Sequence, residues 1–270
     1  MKFGIIIPTY NRPDIVVEAV DAVRAQTVDN WNLFITNDGS ARDYSAFEAS
    51  IKDDARIFYT RTPGNHGCNH ARNVAIDAAI REGCDFLVFC DDEERLHPQC
   101  LEKAMEQIAA HPDVGWFISN TYGERKKSTR EITAAGYYDW LDDYMYGEAL
   151  QGDKVHVIST RALGDIRLDG RFRASNIWRF RMTLSTRTRI WGYPFGSKYI
   201  RYFDEGITKS ISRYPKTWLE LYSRFARHAY AIRIRPTEWR AWKYLLLELL
   251  KTPKRALYIL TGKAGKRKKA

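Results

Sequence analysis

Cysteine is scarce, with four residues in 270, at positions 68, 84, 90 and 100. None has the paired spacing of a zinc site, so reduced core thiols are expected rather than a metal knot or a disulfide framework. Long apolar runs are absent too. The opening MKFGIIIP goes straight into a short β-like run, without a basic leader or a small-residue cleavage site, which predicts a protein kept in the cytoplasm. There is no internal repeat, and the one low-complexity stretch is the closing KAGKRKKA, expected to be solvated. No Gly-rich, Lys-containing loop opens the chain, which disfavours a nucleotidyltransferase. No recognised nucleic-acid module accompanies the basic residues, so nucleic acid is not an expected partner.

The length and a 44% hydrophobic composition allow one substantial core with an appendage. The net charge of +10 is unevenly placed. Residues 216–270 hold 15 Lys or Arg against 3 Asp or Glu, and residues 1–215 hold 28 against 30. A near-neutral body with a basic, Trp-rich end suggests an enzyme resting on an acidic surface.

Short β-branched and aromatic runs alternate with helical patterns through the first half, the signature of βαβ units around a mostly parallel sheet. Strands are expected at 3–7, 33–36, 56–60 and 85–90. Helices are expected after Pro13, over about 69–81 and from Pro98. Ligands of open α/β sheets bind beyond the carboxyl ends of the strands. That rule gathers Thr9 to Arg12, Asp38 and the acidic run Asp91-Asp92-Glu93-Glu94 around one crevice. Four adjacent carboxylates repel one another unless a positive charge holds them, and Mg²⁺ or Mn²⁺ with its hard oxygen ligands is an economical counterion. A solvated acidic loop is the alternative.

IIIPTYNRPD, TNDGS, GNHGCNHARNVAI and FLVFCDDEE, in this order and at strand ends, resemble the motif set of the family-two inverting glycosyltransferases of GT-A fold. The resemblance is strong over residues 3–95 and weak from there to about 215. It implies an α/β, Rossmann-like GT-A fold with a mostly parallel central sheet flanked by helices. Residues 1–215 would be the catalytic domain, with 1–95 binding the nucleotide sugar and 96–215 the acceptor, and 216–270 a helical basic extension. It further implies that Pro8, Thr9, Tyr10 and Arg12 wall the nucleotide base, and that Asp38 accepts an imide N–H of uracil or thymine. Arg72 would face the diphosphate or the acidic run. Asp91 and Asp92 would join the donor site, Asp92 with a catalytic share, and Asp91 with Glu93 would hold Mn²⁺ or Mg²⁺. Glu93 departs from the usual Asp and would shift the ion by about one methylene. The implied partners are a nucleoside diphosphate sugar, with UDP favoured, and a glycan or glycolipid acceptor.

The implied reaction needs a base for the acceptor hydroxyl, and the family's acidic pair is replaced here by Asn176-Ile177. An amide is no base near neutral pH, so Asp169 is the expected substitute, ahead of Asp165 and Glu94. The same departure keeps a non-catalytic sugar-nucleotide or glycan binder as an alternative. His66 and His70 flank the diphosphate-side loop and read equally as structural residues. Near the end, Trp239, Trp242, Leu246, Leu249 and Leu250 fall on one helical stripe that Pro253 is expected to terminate. The pattern is too short and too charged to span a bilayer. It predicts that residues 236–270 bind an anionic membrane surface, placing the protein on the inner face of the cytoplasmic membrane; packing on the catalytic domain or on a second subunit is the alternative.

Overall fold

The structure is a computed structural model that describes residues 1–124, 129–169, 177–186, 189–201 and 217–261. It starts with β1 (Phe3–Thr9), α1 (Pro13–Arg24), β2 (Trp31–Asn37), α2 (Ser45–Ile51), β3 (Ile57–Arg61), α3 (Cys68–Arg81) and β4 (Phe86–Phe89). Every residue of β1 and β2 is buried, as their unbroken apolar runs require of central parallel strands. Pro13 occupies the start of α1, where its missing N–H costs nothing, and Val16, Ala19, Val20 and Val23 turn inward.

Next come β5 (Arg95–Leu96), α4 (Cys100–Ala110), β6 (Trp116–Gly123), β7 (Gly136–Tyr138) and a π-helical turn at Trp140–Met145. They are followed by β8 (Lys154–Ser159), α5 (Thr160–Leu163), α6 (Ile177–Thr186), β9 (Ile190–Ile200), α7 (Trp218–Ile234) and α8 (Trp239–Thr261). Pro98 lies two residues before α4, and its carbonyl accepts the Thr27 N–H.

Nine described strands form one sheet in the order β3-β2-β1-β4-β8-β6-β9-β5, with β7 pairing on β9. β3, β2, β1 and β4 are mutually parallel. β8 runs antiparallel to both β4 and β6, so β6 and its parallel neighbour β9 regain the direction of the first four. The fold is thus the expected mostly parallel sheet, with an antiparallel insertion that local patterning did not reveal. Side-chain alternation divides the core. Val88, Cys90 and Val157 share one cluster with α1 and α4, whereas Leu87, Ile158 and Trp116 pack with Ile76, Trp178 and Phe180 from α3 and α6.

The last two helices are docked on the body. Ala231 and Ala241 are fully buried in the second cluster. Arg235 donates to Asp139 at 2.6 Å and to Asp142 at 2.5 Å, and Arg240 to Asp142 at 2.6 Å. α8 also corrects the expected stop at Pro253, since it runs on to Thr261. Proline removes one helical hydrogen bond. An ion pair between Glu248 and Arg255 spans that turn from the inward face, and the Thr252 hydroxyl donates to the Glu248 carbonyl at 2.8 Å. The opposite face is bare: Trp239, Trp242, Leu246, Leu249, Leu250, Leu257 and Leu260 are all exposed.

Candidate active site

The ends of β1 and β2 are laced together by turn chemistry. Asn11 adopts φ 56°, a left-handed conformation that asparagine tolerates, and its Oδ1 accepts the N–H groups of Ala41 at 2.8 Å and Arg42 at 3.2 Å. This turn leaves Tyr10 exposed, Pro8 buried and Thr9 facing inward. The Thr9 hydroxyl lies 2.9 Å from both the Tyr44 hydroxyl and Asp92 Oδ2, donating to the carboxylate. Tyr44 also accepts the Arg12 N–H at 2.9 Å. Asp38 follows β2 and is 2% exposed. Its Oδ1 accepts the His66 N–H at 3.0 Å and its Oδ2 the Gly67 N–H at 2.7 Å, so this carboxylate clasps the loop that delivers α3. Gly39 beside it has φ +66°, and a Cβ there would stand 2.3 Å from the Gly64 carbonyl carbon.

The acidic run meets three cations from three elements. Arg12 donates to Asp92 Oδ1 at 3.2 Å and to Glu93 Oε2 at 2.7 Å. Arg72, one turn into α3, pairs with Asp91 and donates to Asn69 Oδ1 at 3.2 Å. Lys198 of β9 donates to Glu94 Oε2 at 2.6 Å, and the same oxygen accepts the Asp91 N–H at 2.7 Å. The sequence demanded a positive charge here, and much of it is the protein's own. Lys198 went unnoticed, although a lysine in an aromatic strand is a signal of a buried partner.

These pairings set the protonation. Burial pushes the Asp92 carboxyl up to about 6, against the pull of Arg12 and the Thr9 hydroxyl. Burial acts on Asp91 in the same sense, but Arg72 and then Lys198 outweigh it and hold that carboxyl below its ordinary value. The guanidinium of Arg72 is correspondingly raised by Asp91 although burial opposes its charge. Burial leaves Glu94 raised even with Lys198 beside it.

A divalent ion is compatible with this donor set. Among the described residues no group of three or more His, Cys, Asp or Glu converges to hold one. Arg72 engages only Oδ1 of Asp91 and Arg12 only Oε2 of Glu93, which leaves one hard oxygen on each. Two carboxylate oxygens completed by water and a diphosphate are the usual protein share of a nucleotide-bound Mg²⁺ or Mn²⁺.

α3 also bolts down Leu168 and Asp169. Asn69 Nδ2 donates to the Asp169 carbonyl at 3.1 Å, and Asn73 exchanges hydrogen bonds with Leu168 at 2.7 and 2.9 Å. Asp169 is thereby held one residue contact from Arg72. Asp165 is exposed. Glu94 is committed to Lys198 and the Asp91 amide, which removes it as a base. Asn176 lies outside the described residues, as does KAGKRKKA, while Ile177 opens α6. The rings of His66, on the loop Asp38 clasps, and His70, in the first turn of α3, stand 4.8 Å apart.

The family model for glycosyl transferase family 2 matches residues 4–165. An uncharacterized glycosyltransferase of Rickettsia conorii is 36% identical over 109 residues, 39% of this chain and 17% of its own length. The GalNAc(5)-diNAcBac-PP-undecaprenol beta-1,3-glucosyltransferase of Campylobacter jejuni is 28% identical over 108 residues, 39% of this chain and 34% of its own. The chain therefore spans only a minor part of the curated relatives it matches. Residues 1–349 of S. aureus TarS, solved in complex with UDP-GlcNAc, superpose with a TM-score of 0.76 at 16% identity, covering 97% of this chain and 76% of that one. This is a likeness of fold.

Proposed function

Because the chain belongs to glycosyl transferase family 2, we propose that it moves a sugar from a nucleoside diphosphate sugar to a hydroxyl of a glycan or glycolipid acceptor. The observation that carries this reading is the convergence of Thr9, Arg12, Asp38, Arg72 and Asp91 at the carboxyl ends of β1, β2 and β4. Pro8, Thr9, Tyr10 and Arg12 border the base. Asp38, deeply set, offers an imide N–H the lone pairs its loop amides leave, which favours a uracil base. TarS binding UDP-GlcNAc supports the same donor class. The name of the Campylobacter relative supports a lipid-linked acceptor.

Asp91 and Glu93 would hold Mn²⁺ or Mg²⁺, which when bound neutralises charge on the leaving diphosphate. Arg72 orients the diphosphate beside them, forming charge-assisted hydrogen bonds with its oxygens. Asp92 stays back, fixing Thr9 and Arg12 in the base wall and so serving the reaction through them. Asp169 takes the proton of the acceptor hydroxyl as its oxygen bonds to the anomeric carbon and the sugar–diphosphate bond breaks, a single displacement with inversion. Residues 1–95 are the donor half and 96–215 the acceptor half of this scheme.

Residues 216–270 serve attachment in the same proposal. No helix among the described residues is long and apolar enough to cross a membrane. The bare stripe of α8 with the local basic excess suits an anionic lipid surface at the inner face of the membrane, bound through residues 236–270. Incubation with a panel of nucleotide sugars and Mn²⁺, scored by release of the nucleoside diphosphate, tests the activity. Release from UDP-sugars is expected, and no release from any donor, with any glycan acceptor, would sink it.

A further inference from the structure

The acidic run is reached from behind by a strand whose register breaks just before the contact. β9 keeps regular parallel pairing with β6 from Ile190 opposite Trp116 to Tyr193 opposite Ser119, and then bulges twice. It advances from Tyr193 to Gly196 while β6 moves from Ser119 to Asn120, and from Gly196 to Lys198 while β6 moves on to Thr121. Bulges interrupt the ladder and re-aim the side chains beside them, which is why they collect next to functional sites. The second bulge is fastened on two sides. The Ser197 carbonyl accepts the His97 N–H at 2.8 Å, and the Ser197 hydroxyl meets that of Ser119 at 2.6 Å. The residue delivered is Lys198, a cation only 6% exposed.

Lys198 grips the turn that carries Asp91 and Glu93. Its Nζ donates to Glu94 Oε2 at 2.6 Å and lies 3.5 Å from the carbonyl oxygen of Phe89, the last residue of β4. The same Glu94 oxygen accepts the Asp91 N–H at 2.7 Å, and the Glu94 N–H donates to the Asp91 carbonyl at 3.0 Å. Reciprocal bonds between Asp91 and Glu94 thus close the turn, and Lys198 ties the closing residue to β9.

The other two cations hold the run differently. Arg12 and Arg72 engage the carboxylates of Glu93 and Asp91 themselves, the groups a bound ion would take. Lys198 acts on the backbone of the turn through Glu94, outside the proposed ligand pair, so its tie persists when an ion enters. A divalent ion needs its ligand oxygens within about 0.2 Å of ideal distance, so the placement of this turn governs affinity. We infer that Lys198, acting through Glu94, is the positioning residue for the divalent ion of the donor site. The inference rests on the metal reading above.

Calorimetric titration of the full chain with UDP at a series of Mn²⁺ concentrations tests it. The quantity read is the Mn²⁺ concentration that gives half of the full gain in UDP affinity. Losing a residue that orients a metal ligand from behind weakens metal affinity about 10–100-fold, and Lys198→Met should raise the half-gain concentration by that factor. Adding Glu94→Gln removes one charge of each sign and keeps an oxygen for the Asp91 N–H, but leaves the tie to β9 cut. This double variant should recover most of the thermal stability and keep the Mn²⁺-free UDP affinity, which reports its fold. It should still need about 10–100-fold more Mn²⁺, which a role in stability alone would not require. If wild type gains and the double variant reaches half gain at the wild-type Mn²⁺ concentration, Lys198 only balances charge; the inference is overturned and the metal reading stands. If Mn²⁺ brings wild type no gain, the metal reading fails and the inference with it.

Discussion

Lys198→Met isolates the ion pair beneath the acidic run. The side chains of Lys198 and Glu94 are only 7% and 12% exposed and meet at 2.6 Å. Removing one partner of such a pair strands the other charge, at roughly 3–5 kcal/mol. At about 2–4 °C per kcal/mol for a chain of this size, a 3 kcal/mol loss lowers Tm by roughly 6–12 °C. Glu94→Gln added to Lys198→Met should recover most of the loss, because the amide oxygen can still accept the Asp91 N–H while the stranded charge is gone. The pH dependence has a definite sign. Glu94 already titrates above the ordinary carboxylate value through burial, and losing Lys198 raises it further. A carboxyl with a raised folded pKa binds its proton more tightly in the native state, so the native state gains as pH falls. The deficit of Lys198→Met should therefore be largest near pH 8 and shrink toward about pH 5. Thermal melts of wild type and the single and double variants at both pH values are the assay. A single variant within about 2 °C of wild type, or a double variant no better than the single, would refute the reasoning.

Gly39→Ala should lower Tm and weaken UDP binding together, because its Cβ would meet the Gly64 backbone at 2.3 Å and pry open the loop clasped by Asp38; unchanged UDP affinity would detach that loop from the donor site. Asp92→Asn should gain on wild type by about 2–3 kcal/mol between about pH 4 and pH 7, since a carboxyl at about 6 makes the native state less favourable as pH rises through that window. Urea unfolding at the two ends of the window checks this, and a pH-independent difference contradicts it. Leu246→Glu with Leu250→Glu, at positions 58% and 70% exposed, should abolish cosedimentation with vesicles of phosphatidylglycerol and phosphatidylcholine without lowering Tm; equal pelleting of variant and wild type would end the membrane role of α8.

The first four strands and the crevice at their ends were legible because both signals are local. Phe3–Thr9 and Trp31–Asn37 are unbroken apolar runs, and Asn11, Asp38 and Gly39 are turn residues doing what turn residues do. The antiparallel insertion of β8 was hidden, since what places Lys154–Ser159 between β4 and β6 is pairing across more than thirty residues of chain. Two-residue β5 carries no period at all, and it owes its existence to β9. The carboxylates announced that a cation was needed but not which one, because Arg12, Arg72 and Lys198 arrive from distant elements. Pro253 misled for the opposite reason, as a strong local stop overridden by the packed inner face of α8.

The central claim is that the crevice beside Asp91 and Glu93 is the donor site. It is tested most directly by calorimetric titration of UDP into wild type, Asp91→Ala and Glu93→Ala, each with and without Mn²⁺. The account predicts that Mn²⁺ strengthens UDP binding to wild type and has no such effect on either variant, with both variants still folded by thermal melt. An equal Mn²⁺-dependent gain in all three proteins would contradict it.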